Sequence, residues 1–160
     1  MTKKVNFDQK EWHDLMYFAC IGVSYKYSTR DLHAFGDMIG FIREMISVQS
    51  FFSKAMEKYG KYELLQDVIN EMTTACKSRQ DLLSDAMQDF GDLEPVVARA
   101  NQILAERATD DEARAMRAFT YELAFEIASA AGDGFLGTGE KLSQAETEFL
   151  HELKRHLLDT

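Results

Sequence analysis

Helical periodicity is the feature that most restricts the fold of this chain. Apolar side chains recur every three or four residues between Trp12 and Leu157, as on one face of an α-helix. No segment shows the strict alternation of polar and apolar residues that a half-buried strand needs. One proline and nine glycines among 160 residues leave few helix breakers. The sequence therefore predicts an all-α, single-domain bundle of about seven or eight helices over residues 1–160.

Capping residues divide this pattern into separate helices. Asn6 with Gln9, and Thr109 with Glu112, have the spacing of a capping box, in which cap and third helical residue bond reciprocally. Pro95 is predicted in the first turn of a helix, where its missing N–H has no consequence. The core faces predicted from apolar spacing include Trp12, Leu15, Met16, Ala19, Phe52, Ala55, Leu64, Leu65, Val68, Ile69, Val97, Ala100, Ile103, Leu104, Met116, Phe119, Leu123 and Ile127.

The charge balance narrows the classes of partner. A net charge of −9 repels phosphate backbones, which excludes general nucleic-acid binding and favours cations or basic proteins. No apolar run approaches the roughly 20 residues of a membrane span, and the polar start has no signal-peptide core, so we expect a cytoplasmic protein. Cys20 and Cys76 lack CxxC spacing and are expected to be reduced core thiols.

Carboxylates gather around one glycine-rich loop near the end of the chain. Glu122 and Glu126 lie four residues apart on one helix face, Asp133 follows that helix, Glu140 lies in the loop, and Glu146 opens the next helix. The loop glycines are Gly132, Gly134, Gly137 and Gly139. Oxygen ligands near a helix C-terminus suit hard cations. These five acids are the predicted metal ligands, with Ca²⁺ or Mg²⁺ expected in preference to Zn²⁺.

Simpler explanations exist for two of these acids. Ser143 and Glu146 match a capping box without any metal, and Asp133–Gly134 is common turn chemistry. The loop is not an EF-hand, because the twelfth residue counted from Asp133 is Gln144 instead of the required glutamate. The sequence alone leaves both explanations open beside the cation site.

The end of the chain resembles the tellurite-resistance TerB-like family. The matching residues are Ala128, Ala130, Asp133, Gly134 and Glu146, followed by Phe149, Leu150, Leu153 and Leu157. This chain departs from the family pattern by one extra residue before Asp-Gly and by a longer loop. The resemblance implies an all-helical bundle with an internal duplication, of which residues 19–35 are a faint echo. It also implies a non-enzymatic role in stress response, through metal binding or scaffolding.

Two rival hypotheses remain. A metal-free helical scaffold could dock a basic protein partner through its acidic surface. A carboxylate-bridged metalloenzyme would need two E-x-x-H pairs, and the sequence offers one, Glu148 with His151. We therefore expect no enzymatic activity, no catalytic residues and protein partners of unknown identity, and the sequence leaves homo-oligomerisation open.

Overall fold

The structure is a computed structural model that describes the backbone of residues 1–28, 48–78, 93–131 and 142–158 and the side chains of residues 1–25, 48–74, 93–129 and 142–158. The regular elements in these ranges are a short 3₁₀ helix at Lys4–Asn6 and seven α-helical segments: α1 (Gln9–Ala19), α2 (Ile21–Ser28), α3 (48–59), α4 (Glu63–Ser78), α5 (Leu93–Arg107), α6 (Asp110–Ala131) and α7 (Gln144–Leu157). The predicted all-α bundle is confirmed.

Helix α6 is the centre of the described bundle. It contacts α1, α2, α4, α5 and α7. Its side chains Met116, Phe119 and Leu123 are almost completely buried, as the apolar spacing predicted. Each such side chain contributes about 1.5–3 kcal/mol by leaving water. Within the described ranges, no helix combines the length and the apolar character needed to cross a membrane.

The structure assigns the N-cap of the first α-helix to a different residue from the predicted one. Asp8 caps α1, and its Oδ1 accepts a 2.7 Å hydrogen bond from the backbone N–H of Glu11, whose side chain bonds back to the Asp8 N–H. The predicted Asn6–Gln9 box is wrong. The Asn6 side chain instead accepts from the Lys3 N–H inside the 3₁₀ turn. Both Asn and Asp suit an N-cap, and the Asp-x-x-Glu spacing supplies the better reciprocal partner.

Helices α2 and α6 approach each other closely at Gly22. A Cβ added to Gly22 would lie 2.5 Å from both the Cα and the Cβ of Ala124. Thr120, Ala124 and Ala128 recur every four residues on α6, and all three are buried. Small residues on this face allow the two backbones to meet, because there is no larger side chain to separate them.

The predictions for two other helix starts are confirmed. Pro95 lies in the first turn of α5, and Thr109 forms its capping box with Glu112 at the start of α6. Cys76 has no described side chain. Residues 29–35 of the predicted echo 19–35 lie outside the described residues, so the internal duplication stays a prediction.

Candidate functional site

Helix α6 carries two of the predicted ligands at the edge of its buried face. Glu122 and Glu126 are both half-buried, one turn apart. The Lys58 ammonium on α3 lies 2.5 Å from Glu122 Oε1, and this hydrogen bond raises the pKa of Lys58. The pair offsets the repulsion between two acids four residues apart. A cation at Glu122 would have to compete with Lys58.

Tyr59 lies directly behind this ion pair. Its ring packs edge-on against Phe119, with the ring centroids 6.1 Å apart. Burial raises the pKa of Tyr59, and the Glu122 carboxylate raises it further. Glu122 and Lys58 are therefore close to the hydroxyl, yet it makes no well-aligned hydrogen bond with any residue that the structure describes. Tyr59 is thus a core residue at the base of the Lys58–Glu122 pair.

Glu146 forms a helix cap at the start of α7. Its Oε2 accepts hydrogen bonds from the backbone N–H of Ser143 at 2.8 Å and from the Ser143 hydroxyl at 2.9 Å. The Glu146 N–H bonds to Ser143 Oγ at 3.2 Å in return. Glu146 is only 8% exposed. The predicted capping box is confirmed, and it uses an oxygen that the cation hypothesis also needs.

Tyr25 connects this cap to α2. Its ring stacks on Phe149 of α7 with a centroid distance of 3.9 Å and an angle of 3° between the planes. Its hydroxyl donates to the Ala145 carbonyl at 3.1 Å. Burial raises the pKa of Tyr25, and the charges of Glu146 and Glu148 add to this effect. Sequence reasoning missed Tyr25, because no local pattern indicates a contact 120 residues away.

These contacts define a unit that we call the loop frame: α2, the end of α6 and the start of α7, joined by Gly22–Ala124 and by Tyr25 with Ala145 and Phe149. The segment 132–141 lies between α6 and α7 in the sequence. The frame therefore holds the residues on both sides of that segment in a defined arrangement.

The structure describes three of the five predicted metal ligands. Asp133 and Glu140 lie outside the described residues. In the part of the chain that the structure describes, no three His, Cys, Asp or Glu side chains come together as metal ligands. Glu122 contacts Lys58, and Glu146 contacts Ser143. The cation site stays a prediction that depends on Asp133.

Glu112 on α6 was predicted only as part of a capping box, and in the structure it also accepts hydrogen bonds from Thr2. Besides closing its box with Thr109, it accepts from the Thr2 N–H at 2.8 Å and the Thr2 hydroxyl at 2.9 Å. Burial alone would raise the pKa of Glu112, but the hydrogen bonds from Thr2 and Thr109 outweigh it and hold the pKa below its ordinary value. Glu112 thus ties the start of the chain to the α5–α6 junction.

The same junction bonds to α1. The Arg107 guanidinium donates two hydrogen bonds to Glu11 Oε1, at 2.9 and 3.2 Å. The hydrogen bond that Glu11 accepts from the Asp8 N–H lowers the pKa of Glu11 most, and the hydrogen bond from Arg107 lowers it further. Arg107 also accepts from the Thr2 hydroxyl through its carbonyl. Glu11, Glu112 and Glu146 are all buried, and each is the third residue of a capped helix.

The E-x-x-H pair does not support an enzyme. Glu148 and His151 are both exposed on the outer face of α7. A bundle metal site needs side chains that project into the bundle from facing helices. The pair therefore lies on the wrong side of α7 for such a centre.

Comparisons with known proteins give no match. No model of a known protein family matches the chain, and neither a curated protein nor a solved structure matches it. The TerB-like resemblance therefore rests on the residues of this chain alone.

Proposed function

We propose that this chain is a TerB-like, non-enzymatic stress-response protein that acts through protein contacts at the 132–141 loop, with a divalent cation bound there. The observation that supports the proposal is the loop frame. Tyr25 joins α2 to the first turn of α7, and Gly22 joins α2 to the last turns of α6. Fixing both ends of this segment lowers the conformational entropy that ligand binding at Asp133 would cost, compared with free ends.

The cation would be held first by Asp133, with Glu126 and Glu122 at the edge and Glu140 as a further oxygen donor. Its role would be to neutralise carboxylates beside the negative end of α6 and to order the loop for a partner. Glu146 Oε2 already accepts two hydrogen bonds from Ser143, which would compete with a cation for that oxygen. The negative net charge disfavours an oxyanion such as tellurite as the ligand.

The test is calorimetric titration of the chelator-stripped protein with Ca²⁺, then Mg²⁺, Mn²⁺ and Zn²⁺. The decisive variant is Asp133→Asn. Glu148→Gln is the matched control, because Glu148 is an exposed acid of the adjoining helix that is not a predicted ligand. Saturable binding that disappears with Asp133→Asn and survives Glu148→Gln would support the cation site. No binding at millimolar metal would reject it.

A metal-free scaffold that docks a basic partner is the second candidate, and the Lys58–Glu122 pair favours it. The support is that an α6 carboxylate already pairs with an ammonium group of the same chain. Such docking should weaken gradually as exposed acids are neutralised, and it should weaken with added salt. A cation site should instead depend sharply on Asp133.

A further inference from the structure

Helix α4 presents a row of three acids along one face. Glu63, Asp67 and Glu71 are spaced four residues apart and are all half-buried. Like charges at this spacing destabilise a helix by a few tenths of a kcal/mol per pair unless cations lie between them. We call these three residues the acid row. It lies on α4, which is separate in sequence from the loop frame.

A basic segment of the chain already occupies the acid row. The Lys3 ammonium lies 3.0 Å from Glu63, the Lys4 N–H donates to Asp67 at 2.8 Å, and the Lys4 ammonium donates to Glu71 at 2.5 Å. Each acid therefore contacts one donor of the Lys3–Lys4 pair, either a side chain or the backbone. This is the pattern expected for a basic peptide on an acidic surface.

An aromatic residue completes the surface beneath Lys4. The Lys4 ammonium lies 5.3 Å from the centroid of the Trp12 ring, within range of a cation–π contact. The Trp12 indole N–H donates to Glu71 at 3.0 Å, so the same carboxylate orients both the ring and the ammonium group. Trp12 itself is 6% exposed, because the basic segment and the core cover it.

The contacts that hold this segment on the row are individually weak. The side chains of Lys3 and Lys4 are about half exposed in their ion pairs, and such pairs contribute roughly 0–1 kcal/mol each. Val5, next to them, is 86% exposed and adds no packing. Firm anchors lie on both sides of the lysines, where Thr2 bonds to Glu112 and where Phe7 is buried against Trp12. The lysines can therefore leave the row by a movement of residues 3–6 between these two anchors.

We propose that the acid row and Trp12 form a docking surface for a lysine-rich segment of a partner protein, and that Lys3 and Lys4 occupy it in cis until the partner displaces them. The charge complementarity is visible in the contacts of the lysines themselves. Because the internal occupant is tethered, it is present at an effective concentration of about millimolar, and a partner must compete with it. The proposal is independent of the Asp133 loop and of any cation.

The test uses the full chain and the acetylated peptide TKKVNFD, labelled at its C-terminus, as a probe. Lys3→Glu with Lys4→Glu repels the internal segment from the row and opens it. Lys54→Glu with Lys154→Glu is the matched control, because both lysines are exposed elsewhere and the net charge changes equally. Fluorescence anisotropy measures peptide binding, and Trp12, the only tryptophan, reports events at the row directly.

We expect the opened variant to bind the peptide at least about tenfold more tightly than the wild type or the control does. The reason is that an acid row that is free in about 10% of wild-type molecules or fewer lowers the apparent affinity for the peptide by that fraction. Adding Asp67→Asn and Glu71→Gln should abolish the gain. Lys3→Ala with Lys4→Ala should act in the same direction if the charge reversals impair folding. Equal affinity of the opened variant and the control overturns the proposal. Dimerisation of the wild type by exchange of this segment, seen in sedimentation, also overturns it and makes a second copy the occupant.

Discussion

Glu112 and Glu146 occupy the same position in two capping boxes, and their local geometry is nearly the same. Glu112 accepts from the N–H and hydroxyl of Thr109 at 3.0 and 2.9 Å, and Glu146 accepts from the N–H and hydroxyl of Ser143 at 2.8 and 2.9 Å. Both carboxylates are buried. The tertiary surroundings differ. Thr2 adds two hydrogen bonds to Glu112, whereas Glu146 lies next to Tyr25 and opens the helix after the Asp133 loop.

The difference teaches that a capping box fixes where a helix begins but not what its glutamate does for the fold. At α6 the glutamate joins distant parts of the chain. At α7 the glutamate accepts hydrogen bonds from Ser143 within the capping box, and Tyr25 connects the start of this helix to α2. The following predictions test this contrast, from the largest expected effect to the smallest.

Glu112→Ala should destabilise the protein far more than Glu146→Ala. The first change leaves the N–H groups of Thr2 and Thr109 and the Thr109 hydroxyl without their acceptor and should cost about 3 kcal/mol, because bonds to a buried charged group are strong. The second removes a cap and should cost about 1 kcal/mol. Urea unfolding of both variants measures the difference. Equal losses would mean that the Thr2 contacts contribute nothing.

Gly22→Ala should cost about 2 kcal/mol by forcing α2 away from α6. The added Cβ would lie 2.5 Å from both the Cα and the Cβ of Ala124. Ala124→Gly should therefore rescue the variant only in part, since the α6 backbone at this position would still be too close to the added methyl group. Thermal unfolding of the single and double variants checks this. A neutral Gly22→Ala would show that the two helices of the loop frame are not tightly packed.

Acid should weaken the Glu112 junction. The folded-state pKa of Glu112 lies below its ordinary value of 4.5, so the stabilisation is present above that value and is lost as the pH falls through the lower folded-state pKa. Glu112→Gln should make the fall in stability below about pH 4.5 less steep. Urea midpoints between pH 6 and about pH 3 measure the slope. An unchanged slope would mean that other acids dominate it.

Removing the hydroxyl groups of Tyr25 and Tyr59 should give the smallest difference in stability between two variants. Tyr25→Phe loses the hydrogen bond to the Ala145 carbonyl and should cost about 1 kcal/mol. Tyr59→Phe should be neutral or slightly stabilising, because it removes a buried hydroxyl that has no well-aligned partner among the described residues. Each variant is the control for the other in the same unfolding assay. The reverse order would contradict the structure at both sites.

Local patterns in the sequence predicted much of the fold. Apolar spacing identified the buried faces of α4, α5 and α6, and two capping boxes were found by their Ser/Thr-x-x-Glu spacing. These features depend on residues three or four positions apart. The cap of α1 was assigned to Asn6 in place of Asp8, because two suitable cap residues lie in one short segment. Which of the two residues caps the helix depends on whether the residue three positions later can bond back to it.

Long-range polar contacts could not be predicted. Tyr25 with Ala145, Thr2 with Glu112 and Lys58 with Glu122 join segments far apart in the chain. A single sequence carries no periodic signal for such pairs, since they depend on how the helices pack. The same reason explains why the contact of Glu122 with Lys58 was not predicted.

The most direct test of the account is thermal unfolding in Ca²⁺ and in chelator, for the wild type, Asp133→Asn and Glu112→Gln. A ligand that binds the folded state stabilises it by about 2.7 kcal/mol at one hundred times its Kd. We predict that Ca²⁺ raises the Tm of the wild type and of the less stable Glu112→Gln by similar amounts and leaves Asp133→Asn unchanged. An equal rise in all three proteins, or no rise in the wild type, would contradict a cation site at the Asp133 loop.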